Sequence, residues 1–169
     1  MLNLSKLNEN DLPRRVELLN NKDISSNLNV NENFTLEKTI KWFEKVKNDD
    51  SRYDCVFCQN DIIIGMGGLT HISDVDRNAE LYMYIDPSFQ GRGLGFFFLN
   101  LLCKYAFDKL DLNKIYLYTF TENAKANRLY EKAKFHLEGV LRKHTFKSSE
   151  LKDRNIYGLL KEDFFENVR

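Results

Sequence analysis

The sequence predicts a single α/β (α+β) domain over residues 1–169, with about four helices flanking a mixed sheet of about seven strands. Two observations carry this prediction. Short strand-like segments alternate along the chain with segments whose apolar residues recur every three or four positions. In addition, 169 residues with 43% hydrophobic content suffice for one core and are too few for two domains of ordinary size.

The N-terminal part is predicted to hold one strand and two helices. Alternation of apolar and polar residues predicts a strand from Leu2 to Leu7, followed by a helix capped by Asn10 or Asp11. The next stretch, Asn20 to Asn33, is dense in Asn, Ser and Asp and is predicted to be a mobile loop. Thr35 then opens a second helix. Its inward face is predicted to consist of Leu36, Ile40, Phe43 and Val46.

Strands and helices are predicted to alternate in the rest of the chain. The predicted strands are Tyr53–Gln59, Ile62–Thr70, Ala79–Asp86, Lys114–Phe120, Phe135–Phe146 and Arg154–Leu160. The helix from Gly95 to Leu110 is apolar nearly all round, which places it in the interior against the sheet. A short capped helix is predicted between Thr121 and Phe135.

The most informative segment is the glycine-rich turn that joins an apolar strand to the long helix. Gly91, Gly93 and Gly95 carry no side chain to hold a phosphate away from the backbone, and the helix start directs free N–H groups toward an anion. Arg92 adds a charged donor. The turn therefore predicts a diphosphate site, with close helix packing or strand reversal as the alternative interpretation. Its glycine spacing does not match the dinucleotide-binding fingerprint, and the lysine and hydroxyl of a P-loop are missing.

A second cluster lies in the short capped helix. Its residues fill the pattern Asn-x-x-Ala-x-x-x-Tyr, ending near a Gly-Phe pair: Asn123, Ala126, Tyr130 and Phe135. The glycine turn fills the pattern Gln/Arg-x-x-Gly-x-Gly/Ala with Gln90, Gly93 and Gly95. With these two motifs the chain resembles the GNAT superfamily of acetyl-CoA-dependent N-acetyltransferases, and most closely its branch of ribosomal-protein N-terminal and spermidine acetyltransferases. Lys134 stands where that family usually has glycine.

The resemblance implies a mostly antiparallel GNAT-like sheet, acetyl-CoA as co-substrate and no metal. It implies that the strand before the glycine turn splays from its neighbour, so that the pantetheine arm pairs with exposed backbone. The residues that would then hold acetyl-CoA are Met83, Tyr84 and Ile85 along the strand and Gln90, Gly91, Arg92, Gly93, Leu94, Gly95 and Phe96 at the turn. Asn123 would contact the pantetheine, although a plain helix cap would give the same sequence.

Catalysis requires an acid and a base, because an amine with a pKa of about 10.4 must lose a proton before it attacks a thioester. The resemblance assigns Tyr130 as the acid for the departing thiolate, the alternative being a tyrosine that packs in the core. Glu80 is the candidate base, because alternation places it on one strand face with Tyr82 and Tyr84. A solvated charge at the strand end is the alternative for Glu80. His71 is the competing base, ahead of the other histidines, His136 and His144.

The acceptor is predicted to be a primary amine, either a protein N-terminus or a small amine such as a polyamine or amino sugar. The Asn20–Asn33 loop, the Thr35 helix and the Phe146–Arg154 connection would form its site. They contain both acids and bases, namely Asp23, Glu32, Glu37, Glu150, Lys147 and Lys152, and no sign of charge dominates. A polyamine would need clustered carboxylates, whereas an amino-sugar nucleotide would need lysine or arginine with an aromatic platform. The alternative function is a non-catalytic regulatory domain that binds acetyl-CoA or another nucleotide.

Composition narrows the partners and the location. Lys plus Arg and Asp plus Glu number 25 each, so no overall field would recruit nucleic acid or an anionic membrane. No apolar run reaches the length of about 18 residues that spans a membrane, and a cytoplasmic protein is expected. Cys55 and Cys58 lie in a strand and face opposite ways, which argues against a zinc site, and Cys103 lies in the buried helix, which argues against an acetyl carrier. A homodimer is an expectation from the resemblance alone.

Overall fold

A computed structural model describes residues 1–30 and 33–166. Within these residues lie seven strands, β1 Leu2–Lys6, β2 Tyr53–Gln59, β3 Ile62–Ser73, β4 Asn78–Ile85, β5 Lys114–Phe120, β6 His136–Lys147 and β7 Glu150–Leu160. The same residues form six α-helices, α1 Leu12–Asn20, α2 Lys22–Ser25, α3 Leu36–Val46, α4 Leu94–Asp108, α5 Ala124–Lys132 and α6 Lys161–Glu166. No helix among them is long and apolar enough to cross a membrane.

The strands form one seven-stranded sheet in the order β1-β2-β3-β4-β5-β7-β6. The neighbouring strands are antiparallel except β4 and β5, which run parallel because α4 crosses between them. The predicted fold class, a mixed and mostly antiparallel sheet with helices on both faces, is confirmed.

Each face of the sheet carries its own core. On one face α4 and α5 cover the sheet, with Phe57 stacked on Phe98 at 4.6 Å between ring centroids. On the other face α1 to α3 cover β1 to β4, with Leu12 of α1 completely buried. Cys55 belongs to the first core and Cys58 to the second, so their side chains do point to opposite faces as the strand alternation predicted.

The parallel strands β4 and β5 separate soon after they meet. Their paired residues are Asn78 with Lys114, Ala79 with Ile115 and Glu80 with Tyr116. Beyond Glu80 the strands have no paired residues, although β3 continues to pair with β4 as far as Ile85. The sheet is therefore open between β4 and β5 toward the glycine turn, and one side of β4 there lacks a neighbouring strand.

Two predictions for the rim of the sheet are wrong. The predicted loop Asn20–Asn33 contains α2, in which Ile24 and Ser25 are buried. The predicted Phe146–Arg154 connection is mostly strand, because β6 and β7 pair up to a tight turn at Ser148 and Ser149 with φ of 52° and 64°. The α2 segment and α6 also raise the number of described helices to six, above the expected four.

The predicted inward face of α3 is only partly right. Phe43 packs against the second core as predicted, but Leu36 and Ile40 are 43% and 36% exposed. In their place the helix buries Thr39 and packs Trp42 against the same core. Two large aromatic rings offer more apolar area than two aliphatic side chains, and they set the rotation of this helix.

Candidate active site

The glycine turn has the backbone that a phosphate cradle requires. Gly91 and Gly93 adopt φ of 78° and 76°, in the left-handed region that favours glycine, and Gly93 is the N-cap of α4. A Cβ atom at either position would meet no atom within 4 Å, so both glycines face open space. Gly95 differs, since its Cβ position lies 3.7 Å from Leu129 in ordinary contact with α5. The turn therefore presents free main chain to solvent at the positive end of a helix.

Side chains on both sides of the turn hold it in place. Asp86 accepts hydrogen bonds from Ser88 N at 2.9 Å, from Ser88 Oγ at 2.6 Å and from Arg14 of α1. Burial alone would raise the pKa of Asp86, but these donors outweigh it and hold the pKa below its usual range. Gln90 donates from Nε2 to the Ile85 carbonyl at 2.9 Å and accepts from Lys125 of α5. In this arrangement Gln90 ties β4 to α5.

The other predicted residues of the turn differ in exposure. Arg92 is exposed, donates to the Ser88 carbonyl at 3.2 Å and lies 5.5 Å from the centre of the Phe89 ring. Leu94 is buried, whereas Phe96 is partly exposed, with the Lys132 ammonium 5.0 Å from its ring centre. Arg92 is thus the charged group beside the open glycines.

The backbone groups of successive β4 residues point alternately toward β3 and toward the opening. The N–H of Asp86 donates to the Ile64 carbonyl at 2.8 Å, so even-numbered residues of β4 exchange hydrogen bonds with β3. The backbone of Tyr84 is therefore directed to Met66, and the backbone groups of Met83 and Ile85 face the opening. Of the three predicted positions, Met83 can pair with an extended arm through both backbone groups and Ile85 through its N–H, since its carbonyl already accepts from Gln90, and Tyr84 cannot pair.

Tyr130 projects from α5 into the first core. It is 7% exposed and packs edge-on against Phe135 at 5.6 Å between ring centroids. None of the described residues hydrogen-bonds its hydroxyl. Burial, and secondarily the Cys103 thiol, raise the pKa of Tyr130 well above its ordinary value. The phenol therefore keeps its proton at neutral pH and is available as a donor.

Polar contacts fix the helix that carries Tyr130. Asn127 accepts a hydrogen bond from Thr119 Oγ1 of β5 at 2.6 Å, and Glu131 accepts one from the Tyr157 hydroxyl at 3.0 Å. Asn123 caps the helix by accepting from Ala126 N at 3.2 Å. Lys134, in the usual place of glycine, adopts φ of 69°, so the turn after the helix keeps its left-handed shape despite the side chain.

The two candidate bases lie side by side. Glu80 occupies the last paired position before β4 and β5 separate, and its side chain is 25% exposed. His71 Nδ1 lies 3.2 Å from Glu80 Oε2, and the His71 side chain is 73% exposed. Glu80 shares its sheet face with Tyr82 and Tyr84, as predicted. This is the face opposite Tyr130.

A cavity of about 450 Å³ adjoins the tyrosine face under α1 and α3. It is lined by Arg15, Asn29, Val30, Asn33, Phe34, Lys38, Thr39, Trp42, Phe146 and Lys147. Arg15 Nη1 donates to the Tyr84 hydroxyl at 3.1 Å, which joins the cavity to β4. Sequence analysis named Lys147 but missed Arg15 and Trp42. A helical periodicity that placed Thr39 and Trp42 on the inward face of α3 would have identified Trp42, and through its contact also Arg15. Of the four acids predicted for the acceptor side, Glu32 lies outside the described residues, and Asp23, Glu37 and Glu150 do not line the cavity.

The three cysteines lie inside the cores of the protein. Cys55, Cys58 and Cys103 are buried free thiols, and burial raises the pKa of each. They stay protonated, which agrees with the expectation that Cys103 is no acetyl carrier. Over residues 1–30 and 33–166, no group of three or more His, Cys, Asp or Glu side chains could hold a metal ion.

A sheet that opens beside a glycine turn, with exposed backbone along the opening, defines a site for a coenzyme with a diphosphate and an extended arm. The chain belongs to the GNAT acetyltransferase family, since the family model described as acetyltransferase (GNAT) domain matches residues 1–136. The protein is therefore an acetyl-CoA-dependent N-acetyltransferase, and the non-catalytic alternative is set aside.

The most informative relatives are bacterial acetyltransferases. The spermidine N(1)-acetyltransferase of Vibrio cholerae is 31% identical over 161 residues, covering 90% of this chain and 88% of that one. Acetyltransferase PseH of Campylobacter jejuni is 26% identical over 79% of this chain and 82% of its own. A crystal structure of the Vibrio cholerae spermidine N-acetyltransferase with CoA and spermine superposes with a TM-score of 0.93, at 29% identity, over 97% of this chain and 98% of that one.

The residues present fit acetyl-CoA. The two open glycines leave room where a side chain would block a diphosphate, Arg92 supplies positive charge, and the free backbone of Met83 with the N–H of Ile85 matches an extended amide-bearing arm. Acetyl-CoA supplies the thioester that is cleaved.

Proposed function

We propose that this chain acetylates a primary amine at the opening between β4 and β5, with Glu80 as base and Tyr130 as acid. The main observation behind this proposal is that Glu80 and Tyr130 lie on opposite sides of the opening. Glu80 lies on the sheet face of α1 to α3, and Tyr130 lies in the core on the opposite face. An amine that enters from the first face can lose its proton there, while the thiolate leaves on the other.

The environment of Tyr130 suits an acid for a thiolate. Its raised pKa means that the phenol is neutral throughout the physiological range, and no described neighbour uses its hydrogen. A thiolate formed in this apolar surrounding is poorly solvated and takes up a proton readily. The buried ring is fixed by Phe135, so the hydroxyl keeps one direction.

The environment of Glu80 suits a base for the amine. Its side chain is three-quarters buried at the closed end of the opening, where β4 and β5 still pair. The amine must approach the exposed backbone of β4 near Met83 and Ile85, further along the same strand. The distance along β4 favours proton transfer through a water molecule. His71 is then the partner that orients the carboxylate or passes the proton to solvent.

Acetyl-CoA would be held mainly by main-chain groups. Met83 and Ile85 would pair with the pantetheine arm, and one of their N–H groups would stabilise charge on the thioester oxygen. Gly91, Gly93 and the first turn of α4, Leu94 to Phe96, would hold the diphosphate, assisted by Arg92. Gln90 and Tyr84 act on this site through the position of β4, and Asn123 through the start of α5.

The relatives support a polyamine as one acceptor, since the Vibrio cholerae relative is a spermidine N(1)-acetyltransferase. A protein N-terminus and an amino sugar are the other acceptors compatible with a primary-amine site. A homodimer and a cytoplasmic location stay predictions.

The proposal is tested by thiol release from acetyl-CoA with a panel of amines that includes spermidine. Tyr130→Phe should lower kcat by roughly 10²- to 10⁴-fold and leave acetyl-CoA affinity unchanged. Tyr53→Phe is the matched control, because Tyr53 stacks on Tyr105 in the last turn of α4, remote from the glycine turn. Equal turnover by the two variants would remove Tyr130 as the acid.

A further inference from the structure

The cavity under α1 and α3 is more basic than the chain as a whole, and this inference rests on the proposed function. The chain has equal numbers of acidic and basic residues. Among the described residues that line the cavity, by contrast, three are cationic, Arg15, Lys38 and Lys147, and none is a carboxylate. A local excess of one sign in a concave surface raises the concentration of the opposite sign there.

The guanidinium of Arg15 forms no ion pair within the described residues, although the Asp54 carboxylate attracts it from beyond ion-pair distance. Its direct contacts are the Tyr84 hydroxyl at 3.1 Å and the face of Trp42 at 4.1 Å. Asp54, which lies beneath, is already held by two hydrogen bonds of 2.9 Å from Arg52 and by the Tyr82 hydroxyl. Within 4 Å no carboxylate of the described residues pairs with Arg15. Its charge is thus available to a ligand, and aromatic contact fixes its plane.

The two lysines carry unneutralised charge as well. Lys147 donates to the carbonyls of Ser25 at 2.8 Å and Val30 at 2.9 Å, which are neutral acceptors. Lys38, in the first turns of α3, forms no ion pair within the described residues. On the same helix Lys41 is paired with Glu37 at 2.6 Å, so exposed lysines there do find partners when these are present.

Aromatic rings alternate with these cations around the cavity. Trp42 and Phe34 are half-buried on its wall, and Phe146 at the hairpin of β6 and β7 is 69% exposed. Flat rings next to guanidinium and ammonium groups bind a flat aromatic ring linked to an anion. The volume of about 450 Å³ lies in the range of sites for small molecules of that size.

We infer that the acceptor amine belongs to an anionic molecule that also carries a flat ring, and that a nucleotide-linked amino sugar is the matching class. The cations would hold the phosphates, the aromatic rings would hold the base, and the amine would reach β4 past the Tyr84 hydroxyl. A polyamine, with several positive charges, would be repelled by the same three side chains. The inferred acceptor therefore differs from the one that the relatives' names specify.

Removal of one positive charge tests the inference, because KM should change in opposite directions for an anionic and a cationic acceptor. Lys38→Gln should raise KM about tenfold for UDP-glucosamine, because an attraction is lost, and the matched control Lys45→Gln, later on the same helix, should not change it. For spermidine the same variant should lower KM. A higher KM for spermidine in Lys38→Gln would overturn the charge argument, as would an unchanged KM for UDP-glucosamine.

Binding without turnover gives the second readout. With coenzyme A at saturation, so that its diphosphate site is filled, titration of UDP, dTDP and GDP in a calorimeter should show at least one ligand that Lys38→Gln weakens about tenfold. Glucosamine 6-phosphate separates the two features of the acceptor, since it has the anion without the ring. Preference for it over UDP-glucosamine would overturn the nucleotide assignment, and binding of none of the three nucleotides would overturn the whole inference.

Failure of the inference and failure of the proposed function give different results. Efficient turnover of spermidine with no nucleotide binding would leave the acetyltransferase mechanism in place and remove the anionic acceptor. Unchanged activity of Tyr130→Phe would remove the acid, whichever acceptor is used. Glu32→Gln adds a check from outside the described residues, because a large rise in KM for spermidine in this variant would favour a polyamine and overturn the inference.

Discussion

The two sides of the site are built in different ways. On the proposed coenzyme side a single run of chain, from Met83 in β4 through the glycine turn to Phe96 in α4, would supply the backbone groups and the helix start. On the acceptor side α1, α3 and the hairpin of β6 and β7 each supply one or two side chains to the cavity. A site made of consecutive main chain depends on local conformation, whereas a site made of distant side chains depends on the packing of whole elements.

This difference separates the reaction from its specificity. Main-chain groups on the coenzyme side are nearly independent of side-chain identity, provided that glycine stands where φ is positive. Side chains on the acceptor side can change without moving β4 or the turn. Relatives with this fold can therefore share acetyl-CoA and differ in the amine.

The strongest test of the coenzyme side is Gly93→Val. The new side chain would project into the open space of the turn and would strain a residue at φ of 76°, so coenzyme binding should be lost. Titration calorimetry with acetyl-CoA measures this. Gly139→Ala is the control, since its Cβ position makes an ordinary contact of 3.7 Å with Ile156. If a folded Gly93→Val protein binds with native affinity, the turn is not the diphosphate site.

Glu80→Gln tests the proposed base, which lies between the coenzyme side and the acceptor side. The amide cannot accept the proton, so kcat should fall by about a hundredfold while the KM for acetyl-CoA stays the same. Initial rates as a function of pH provide the measurement, and Glu44→Gln, an exposed partner of Lys47 at 2.6 Å, is the control. Loss of activity in His71→Gln with near-normal Glu80→Gln would move the base to His71.

A smaller effect is expected for Asp86→Asn, which weakens the link between α1 and the glycine turn. Because the folded-state pKa of Asp86 is depressed below 3.8, its stabilisation is present above that pH and is lost as the pH falls through the folded pKa. The variant should lose about 2 kcal/mol near pH 7, and the difference from the parent should shrink toward pH 3. Urea unfolding across this pH range measures it. The exposed Asp108→Asn should cost far less, and a pH-independent loss would contradict the assignment.

The smallest expected effect concerns Lys134. Glycine relieves a side chain held at φ of 69°, so Lys134→Gly should stabilise the fold by about 1 kcal/mol, less the entropy that glycine loses. Thermal unfolding measures the change. Lys109→Gly is the control, because Lys109 caps α4 at φ of −97° and gains no such relief. A destabilised Lys134→Gly protein would mean that the lysine side chain itself supports the turn.

The elements around the proposed coenzyme side follow from local sequence signals, whereas the sequence predicted which segments meet at the acceptor cavity but not which of their side chains line it. The strand β5, the helix α4 and the capped helix α5 lie within a few residues of their predicted bounds, since glycine turns and caps are local signals. The inward face predicted for α3 was wrong in part. The rotation of this helix depends on Trp42 packing under Arg15, which is a contact between separate helices. The prediction of a Phe146–Arg154 connection was wrong because β6 and β7 stay paired up to the turn at Ser148 and Ser149. These residues rarely signal a hairpin turn.

The Lys147 ammonium group fastens the tip of the last hairpin to the end of α2 through two carbonyl oxygens. These parts of the chain are more than a hundred residues apart, and one cation connects them. A ligand that draws this ammonium away would release both at once. Amide hydrogen exchange at the hairpin tip and at Ser25 to Leu28 should then become faster at both places together. Exchange at these two segments would therefore show whether the cavity is occupied.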